Sequence, residues 1–367
     1  MIVVGEYTKL AQRKKKSMSR LLLGFHGLLP PQELNTWLKD YSPAGFILFG
    51  RNVETLEQVW ECNQKLYALS KQPPILSIDQ EGGRVRRIKD TYWPPMRHLG
   101  NLDDLDWTEK IIRGINQEIL DLGFNANWAP CADVDSNPDN PVIGDRSFGR
   151  SPELCAKHVE KSIEVMHSMN MIACAKHFPG HGDTDLDSHL DLPTVNKSKR
   201  DIESCELIPF QRSIDAGVEI IMTAHVIFPA FDEENPATMS KRILTEELRE
   251  RMGYKRLIVS DDMEMKAVRG RYPLEVQLDR SVRAGVDLFL MCSEMELQEE
   301  AFEILVRLQE KYPEHERLAD DSAKRLDALR GDFLHSVPLN KPFLDRIGCE
   351  EYQQMAAWVR ERAEGTS

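Results

Sequence analysis

The chain has no uninterrupted apolar run near the roughly 18 residues that a membrane-spanning helix requires, so it is expected to be soluble, with no membrane partner. It has no excess of positive charge either: 47 Lys and Arg stand against 60 Asp and Glu, a net charge of −13 over 367 residues. A chain that binds phosphate backbones normally shows a basic face, so nucleic acid is not an expected partner. Paired cysteines are missing too. Cys62, Cys131, Cys155, Cys174, Cys205, Cys292 and Cys349 are scattered, odd in number and free of CxxC spacing, which fits reduced thiols in a cytoplasmic protein. No low-complexity linker marks a second domain, and no repeat shows beyond an alternation of strand-like and helix-like stretches.

One basic patch does exist, from Lys9 through Arg13, Lys14, Lys15 and Lys16 to Arg20, just before the apolar Leu21–Phe25. The order resembles a signal peptide. The apolar part is short, however, and runs through His26 into Pro30-Pro31 with no small-residue cleavage site, so a first core strand behind a solvated basic face is expected.

The alternation then continues to the end. Short apolar runs at Ala44–Gly50, Pro74–Asp79, Phe124–Pro130, Met171–Cys174, Glu219–His225, Arg256–Ser260 and Asp287–Cys292 read as buried strands. Between them lie helical stretches. These include Leu56–Leu69, Ile111–Leu122 with its Ile111, Ile115 and Ile119 stripe, and a helix opened by Ser151-Pro152-Glu153 in the favoured order of cap, proline and acid. With Leu21–Phe25 the strands number eight. The fold class predicted is α/β, a single (β/α)8 TIM-like barrel over residues 21–335, with a basic N-terminal segment (1–20) and a helical C-terminal tail (336–367). Oligomeric state has no sequence signal.

The densest chemistry lies at Ala175–His189, which packs three histidines, three aspartates and a lysine around Pro179, Gly180 and Gly182. Charges on a segment bent by Gly and Pro are expected on a loop outside the core, as a site. Asp183, Asp185 and Asp187 alternate like calcium-loop ligands, but Ser188 and Thr194 stand where that loop needs Gly and a bidentate Glu. Asp187 beside His189 makes the better pair: a carboxylate that fixes an imidazole's tautomer and stabilises its charged form prepares it for proton transfer.

Barrel enzymes work at the C-terminal ends of their strands, and there fall Asp79, Arg87, Arg146, Lys176, His177, Asp187, His189 and Asp261. The adjacent Asp261 and Asp262 are expected to point to opposite faces, leaving one for the site. Arg146 is either an ordered guanidinium on a long polar loop or a surface salt bridge. His225 either lines the site or closes its strand. Such a mouth suits displacement at an electrophilic carbon, or metal-assisted hydrolysis with His177, His181, His189 and Asp261 as ligands.

Four segments carry a resemblance. Asp79–Arg87, Asn140–Phe148, Lys176–Gly182 with Asp187-Ser188-His189, and Ser260–Met263 are similar, in this order, to the signature set of family 3 glycoside hydrolases, in the β-N-acetylglucosaminidase branch of the NagZ type. The resemblance covers roughly Leu21 to Leu329. It implies that Asp261 is the nucleophile, His189 the acid/base and Asp187 its partner, with Asp79, Arg87, Arg146, Lys176 and His177 binding a terminal N-acetylglucosamine. The implied activity is exo-hydrolysis that removes terminal N-acetylglucosamine from cell-wall-derived muropeptides or related β-glycosides, by a covalent glycosyl-enzyme, with no metal ion and no cofactor. Most retaining glycosidases use two carboxyl groups about 5 Å apart. An uncharged imidazole base would let phosphate approach as acceptor, so phosphorolysis is a second outcome. A sugar-binding barrel without catalysis would be expected to lack the nucleophile or the acid/base, and both residue types are present.

Overall fold

The computed structural model describes residues 2–184, 192–334 and 343–364. In chain order the elements run α1 (Ile2–Met18), β1 (Leu21–Leu23), α2 (Gln32–Leu38), β2 (Gly45–Leu48), α3 (Leu56–Leu69), β3 (Ile75–Ile78), α4 (Met96–Leu102), α5 (Leu105–Asp121) and β4 (Ala126–Asn127). There follow α6 (Pro152–Ser168), β5 (Ile172–Phe178), α7 (Lys199–Ser204), α8 (Leu207–Asp215), β6 (Ile220–Thr223), β7 (Ile227–Phe228) and β8 (Asp232–Pro236). After a wide helical segment, Arg242–Arg251, come β9 (Leu257–Asp262), α9 (Lys266–Arg269), α10 (Leu274–Ala284), β10 (Leu288–Met291), α11 (Met295–Lys311), α12 (Pro313–Phe333) and α13 (Glu350–Glu364).

Eight parallel strands close in the order β1-β10-β9-β6-β5-β4-β3-β2, the expected single barrel. Their two-residue period divides the core. Leu22, Ile47, Ile75, Trp128, Ile172, Ile220, Leu257 and Leu288 fill the interior, while Leu21, Phe46, Leu76 and Ile258 face the helices in a second, larger cluster. Leu326 and Leu329 of α12, with Leu334 beyond it, join the interior cluster. Arg330 of the same helix donates to the carbonyls of Pro43 and Pro73, which precede β2 and β3, so α12 plugs the N-terminal end and leaves the opposite end open.

Three differences from the sequence reading have physical causes. Strand β4 is two residues long, because Pro130 has no N–H for the ladder. Strand β5 runs on through Lys176 and His177, so these charged groups are buried strand residues, 2 % and 6 % exposed, and not loop residues. The helix α4 and the small antiparallel pair β7-β8 carry periodicities too short to read.

The basic N-terminal segment is the helix α1, and its charge is complemented within the fold. Lys9 and Arg13 pair with Glu316 at 3.7 and 3.4 Å, and Lys16 pairs with Asp320, all on α12. At the other end α13 packs on α4 and α5, with Trp358 stacked on Trp107 at 3.8 Å.

Candidate active site

Inward parity along three strands delivers three charged side chains to the open end: Ile75, Ser77, Asp79 on the path of β3; Ile172, Cys174, Lys176 on β5; Leu257, Val259, Asp261 on β9. They line one cavity of about 220 Å³ together with Phe49, Arg87, Trp128, Arg146, His177 and His181.

Its polar wall is a chain of alternating charges. Arg87 reaches Asp79 at 3.3 Å, and Lys176 Nζ lies 2.7 Å from Asp79 Oδ1 and 2.7 Å from Glu81 Oε1. Arg146 closes on Glu81 with a two-pronged pair, Nε to Oε2 at 2.9 Å and Nη2 to Oε1 at 2.8 Å. Burial works to raise the pKa of both carboxyls, but Lys176 and Arg87 outweigh it at Asp79, as Arg146 and Lys176 do at Glu81, and both are held below the usual range. The same carboxylates hold Lys176 above its ordinary value against the opposing effect of burial. Arg146 is thus a buried, paired guanidinium at the cavity wall, and no surface salt bridge. The sequence reading singled out four of the five members and missed Glu81, though it lies inside the segment flagged for recognition.

Asp133 was missed as well. It sits under the turn after β5 and accepts from His177 Nδ1 at 2.8 Å and from the backbone N–H groups of His177 (3.1 Å) and His181 (2.7 Å). Burial pushes Asp133 up, the His177 ring and its hydrogen bond pull it down, and the balance lies at about 2. An ionised Asp133 accepts only, so His177 donates through Nδ1 and keeps Nε2 for the cavity it lines. Gly182 is required at the same turn: a Cβ there would meet the Val134 carbonyl oxygen at 1.5 Å.

His181 lines the cavity beside His177, with Thr184 Oγ1 2.9 Å from its Nδ1, and burial, then the neighbouring His177, push it down to about 4. A histidine with a depressed folded pKa favours the neutral ring, so its stabilisation is complete above the unfolded value near 6.5 and is lost as pH falls towards 4. The fall from 6.5 to about 4 corresponds to about 3 kcal/mol. The melting temperature is therefore expected to drop between pH 6.5 and 4, and His181→Gln to flatten that drop. An unchanged slope in the variant would remove His181 from the account.

Asp261 and Asp262 both line the cavity, which corrects the expectation that adjacent strand residues must part. The register between β9 and β10 slips, with Val259 opposite Leu288 but Asp262 opposite Leu290. This bulge of one residue turns Asp262 to the inner face as well. The backbone N–H of Asp262 donates to Asp261 Oδ1 at 2.8 Å, while the Asp262 carboxyl is pushed up to about 7 by burial, then by the charges of Glu264 and Asp261. His225 proves to be a fully buried strand-end histidine, bonded to Thr238 Oγ1 (2.8 Å) and to the Asp262 carbonyl (3.1 Å), and it braces the end of β9.

Asp187 and His189 lie outside the described residues, as does Asp185 of the calcium-like series; Asp183 pairs with Lys197 at 3.0 Å. Both flanks of that segment are tied down: Asn140 donates to the His181 carbonyl at 2.8 Å, and Val195 donates to the Ile227 carbonyl at 2.9 Å. Among the described residues, Cys131, Asp133 and His177 form a group of ligand-type atoms compact enough for a metal ion. It fits one poorly. The oxygens of Asp133 already take the donors described above, the His177 Nδ1 is spent on them, and burial holds the Cys131 thiol well above its usual value, in its protonated form.

Residues 10–329 match the glycosyl hydrolase family 3 N-terminal domain. A β-hexosaminidase from Nitrosomonas eutropha is 36 % identical over 303 residues, covering 80 % of this chain and 84 % of that one. Among solved structures, a fungal multi-domain family 3 β-N-acetylglucosaminidase superposes with a TM-score of 0.91 at 32 % identity; the match covers 95 % of this chain but spans only 43 % of that longer one. NagZ from Neisseria gonorrhoeae, solved with N-trifluoroacetyl-D-glucosamine, superposes with a TM-score of 0.75 at 27 % identity, over 95 % of this chain and 98 % of its own.

Proposed function

The chain belongs to glycosyl hydrolase family 3 and is a glycoside hydrolase of the β-N-acetylhexosaminidase type, and from that premise we propose that it removes terminal β-linked N-acetylglucosamine with retention of configuration. The carrying observation is that Asp261 shares one cavity with Asp79, Lys176, Arg146 and His177, with Glu81 pairing Lys176 and Arg146 from behind.

In this reading the wall holds the sugar by its hydroxyls. Asp79 accepts, Arg87 and Arg146 donate, and Lys176 offers the N–H left over from its two carboxylates. Strand β3 lies opposite β9 in the closed barrel, so a ring gripped at the wall turns its anomeric carbon towards Asp261. Asp261 attacks that carbon while the His189 imidazolium gives its proton to the leaving oxygen, and a covalent glycosyl-enzyme results. Neutral His189 then takes a proton from water, whose oxygen displaces Asp261. Asp187 orients the ring and stabilises its charged form. The Asp262 N–H on Asp261 Oδ1 aims the other carboxylate oxygen, and Asp262, about half protonated at neutral pH, adds less charge beside it than an ordinary aspartate would.

Muropeptides from the cell wall are the proposed source of the sugar, and the cytoplasm the proposed compartment, a reading supported by seven cysteines that are all free thiols. The proposed partner is the carbohydrate alone, without nucleic acid.

The test is turnover of a chromogenic N-acetylglucosaminide with and without chelator, in phosphate and in a non-phosphate buffer. Activity is expected to survive chelation and to release N-acetylglucosamine first as its β-anomer. Loss on chelation would favour the metal-dependent hydrolase, an α-anomer would remove retention, and sugar 1-phosphate in the phosphate buffer would make the enzyme a phosphorylase.

A further inference from the structure

A second cleft, of about 630 Å³, opens between the loop after β3 and the last turns of α13. It is built from the same loop as the sugar cavity but from the alternate residues: Val85 and Arg87 line the cavity, whereas Arg84 and Arg86 line the cleft. Lys89, Tyr92, His98 and Arg360 also line it.

The cleft gathers cations in a chain whose net charge is −13. Arg84 pairs with Asp145 at 3.2 Å. Among the described residues, Arg86, Lys89 and Arg360 make no ion pair, and Glu364 is the other carboxylate of the lining. Three cations thus stand together with one acid to balance them.

They are also held in place. The guanidiniums of Arg86 and Arg360 lie over the ring of Tyr92, 4.1 and 4.6 Å from its centroid, and the ring's negative face offsets part of their mutual repulsion. Arg86 Nη1 donates to the Gly83 carbonyl at 2.6 Å and Arg360 to the Tyr92 carbonyl, which fixes one edge of each fork and leaves the other donors of each uncommitted. Two like charges held on one ring, with a third lining the same cleft, cost free energy unless an anion relieves them. Planar guanidinium forks match carboxylate and phosphate oxygens.

We propose that this cleft is a second binding site, for a small multivalent oxyanion bearing carboxylate or phosphate groups, held by Arg86, Lys89 and Arg360. It is separate from the glycosidic site. Among the described residues, none lines both the cleft and the sugar cavity. Its contribution from α13 lies beyond the matched residues 10–329.

Isothermal titration with citrate and with inorganic pyrophosphate, in low salt and with N-acetylglucosamine saturating the sugar cavity, tests the proposal. Three proteins are compared: the unaltered chain, Arg86→Gln/Lys89→Gln, and a Lys15→Gln/Lys39→Gln control with the same charge change elsewhere. At least one anion is expected to bind at one site per chain, with affinity reduced tenfold or more in the first variant and unchanged in the control. Turnover of the chromogenic substrate stays the same in all three, which also reports that each is folded and that the glycosidase reading stands independently. Citrate alone assigns carboxylate ligands and pyrophosphate alone assigns phosphate. Binding of neither, undiminished binding in the first variant, or an equal loss in the control overturns the site.

Discussion

Asp261→Ala is expected to lower kcat on a chromogenic N-acetylglucosaminide by about a thousandfold or more, the scale at which removal of a covalent nucleophile is felt. The fold should survive, because Asp261 stands at the open end of β9, beyond the Leu257 and Val259 that fill the interior. Asp262 is a poor substitute. It lies in the same cavity, but its carboxyl is pushed up to about 7, so about half of it is protonated at neutral pH, and a neutral carboxyl attacks carbon weakly. The discriminating readout is chemical rescue. Azide placed in the space left by the side chain attacks the anomeric carbon from the face Asp261 occupied and gives the α-glycosyl azide. Retained activity, or rescue yielding the β-azide, would take the nucleophile's role from Asp261.

His189→Ala is expected to produce the complementary pattern. Substrates with a poor leaving group, which need a proton at the departing oxygen, should lose about 10²- to 10⁴-fold, and activated aryl glycosides much less in the first step. The second step still needs a base, so the glycosyl-enzyme accumulates with activated substrates and a burst of product appears. Azide then intercepts that intermediate from the side opposite Asp261 and yields the β-glycosyl azide. The two variants thus give opposite anomers if the two residues work from opposite faces of one ring. Equal losses on good and poor leaving groups would argue against proton transfer by His189.

Much of this was legible from one dimension. The apolar runs gave eight strands, and the parity along Leu257, Val259 and Asp261 or Ile172, Cys174 and Lys176 foretells which charged residue faces inward. What stayed hidden were partners distant in sequence. Nothing near Lys176 shows that its charge is balanced by Asp79 and Glu81 from another strand, and for that reason the reading placed it on a loop. Asp133 was unremarkable in a polar loop until the turn after β5 brought three donors onto its carboxylate. The β9–β10 slip that turns Asp262 inward depends on how two strands register, which neither strand encodes alone.

The amino-acid order therefore determined the barrel, its open end and the residue types gathered there, because strand period and strand-end position are local properties. Only the closed tertiary structure decided which charges neutralise one another, which carboxyls share the cavity, and where three unpaired cations meet beside the C-terminal helix. Those outcomes depend on distances between segments tens to hundreds of residues apart, and burial sets how strongly each such pair is felt.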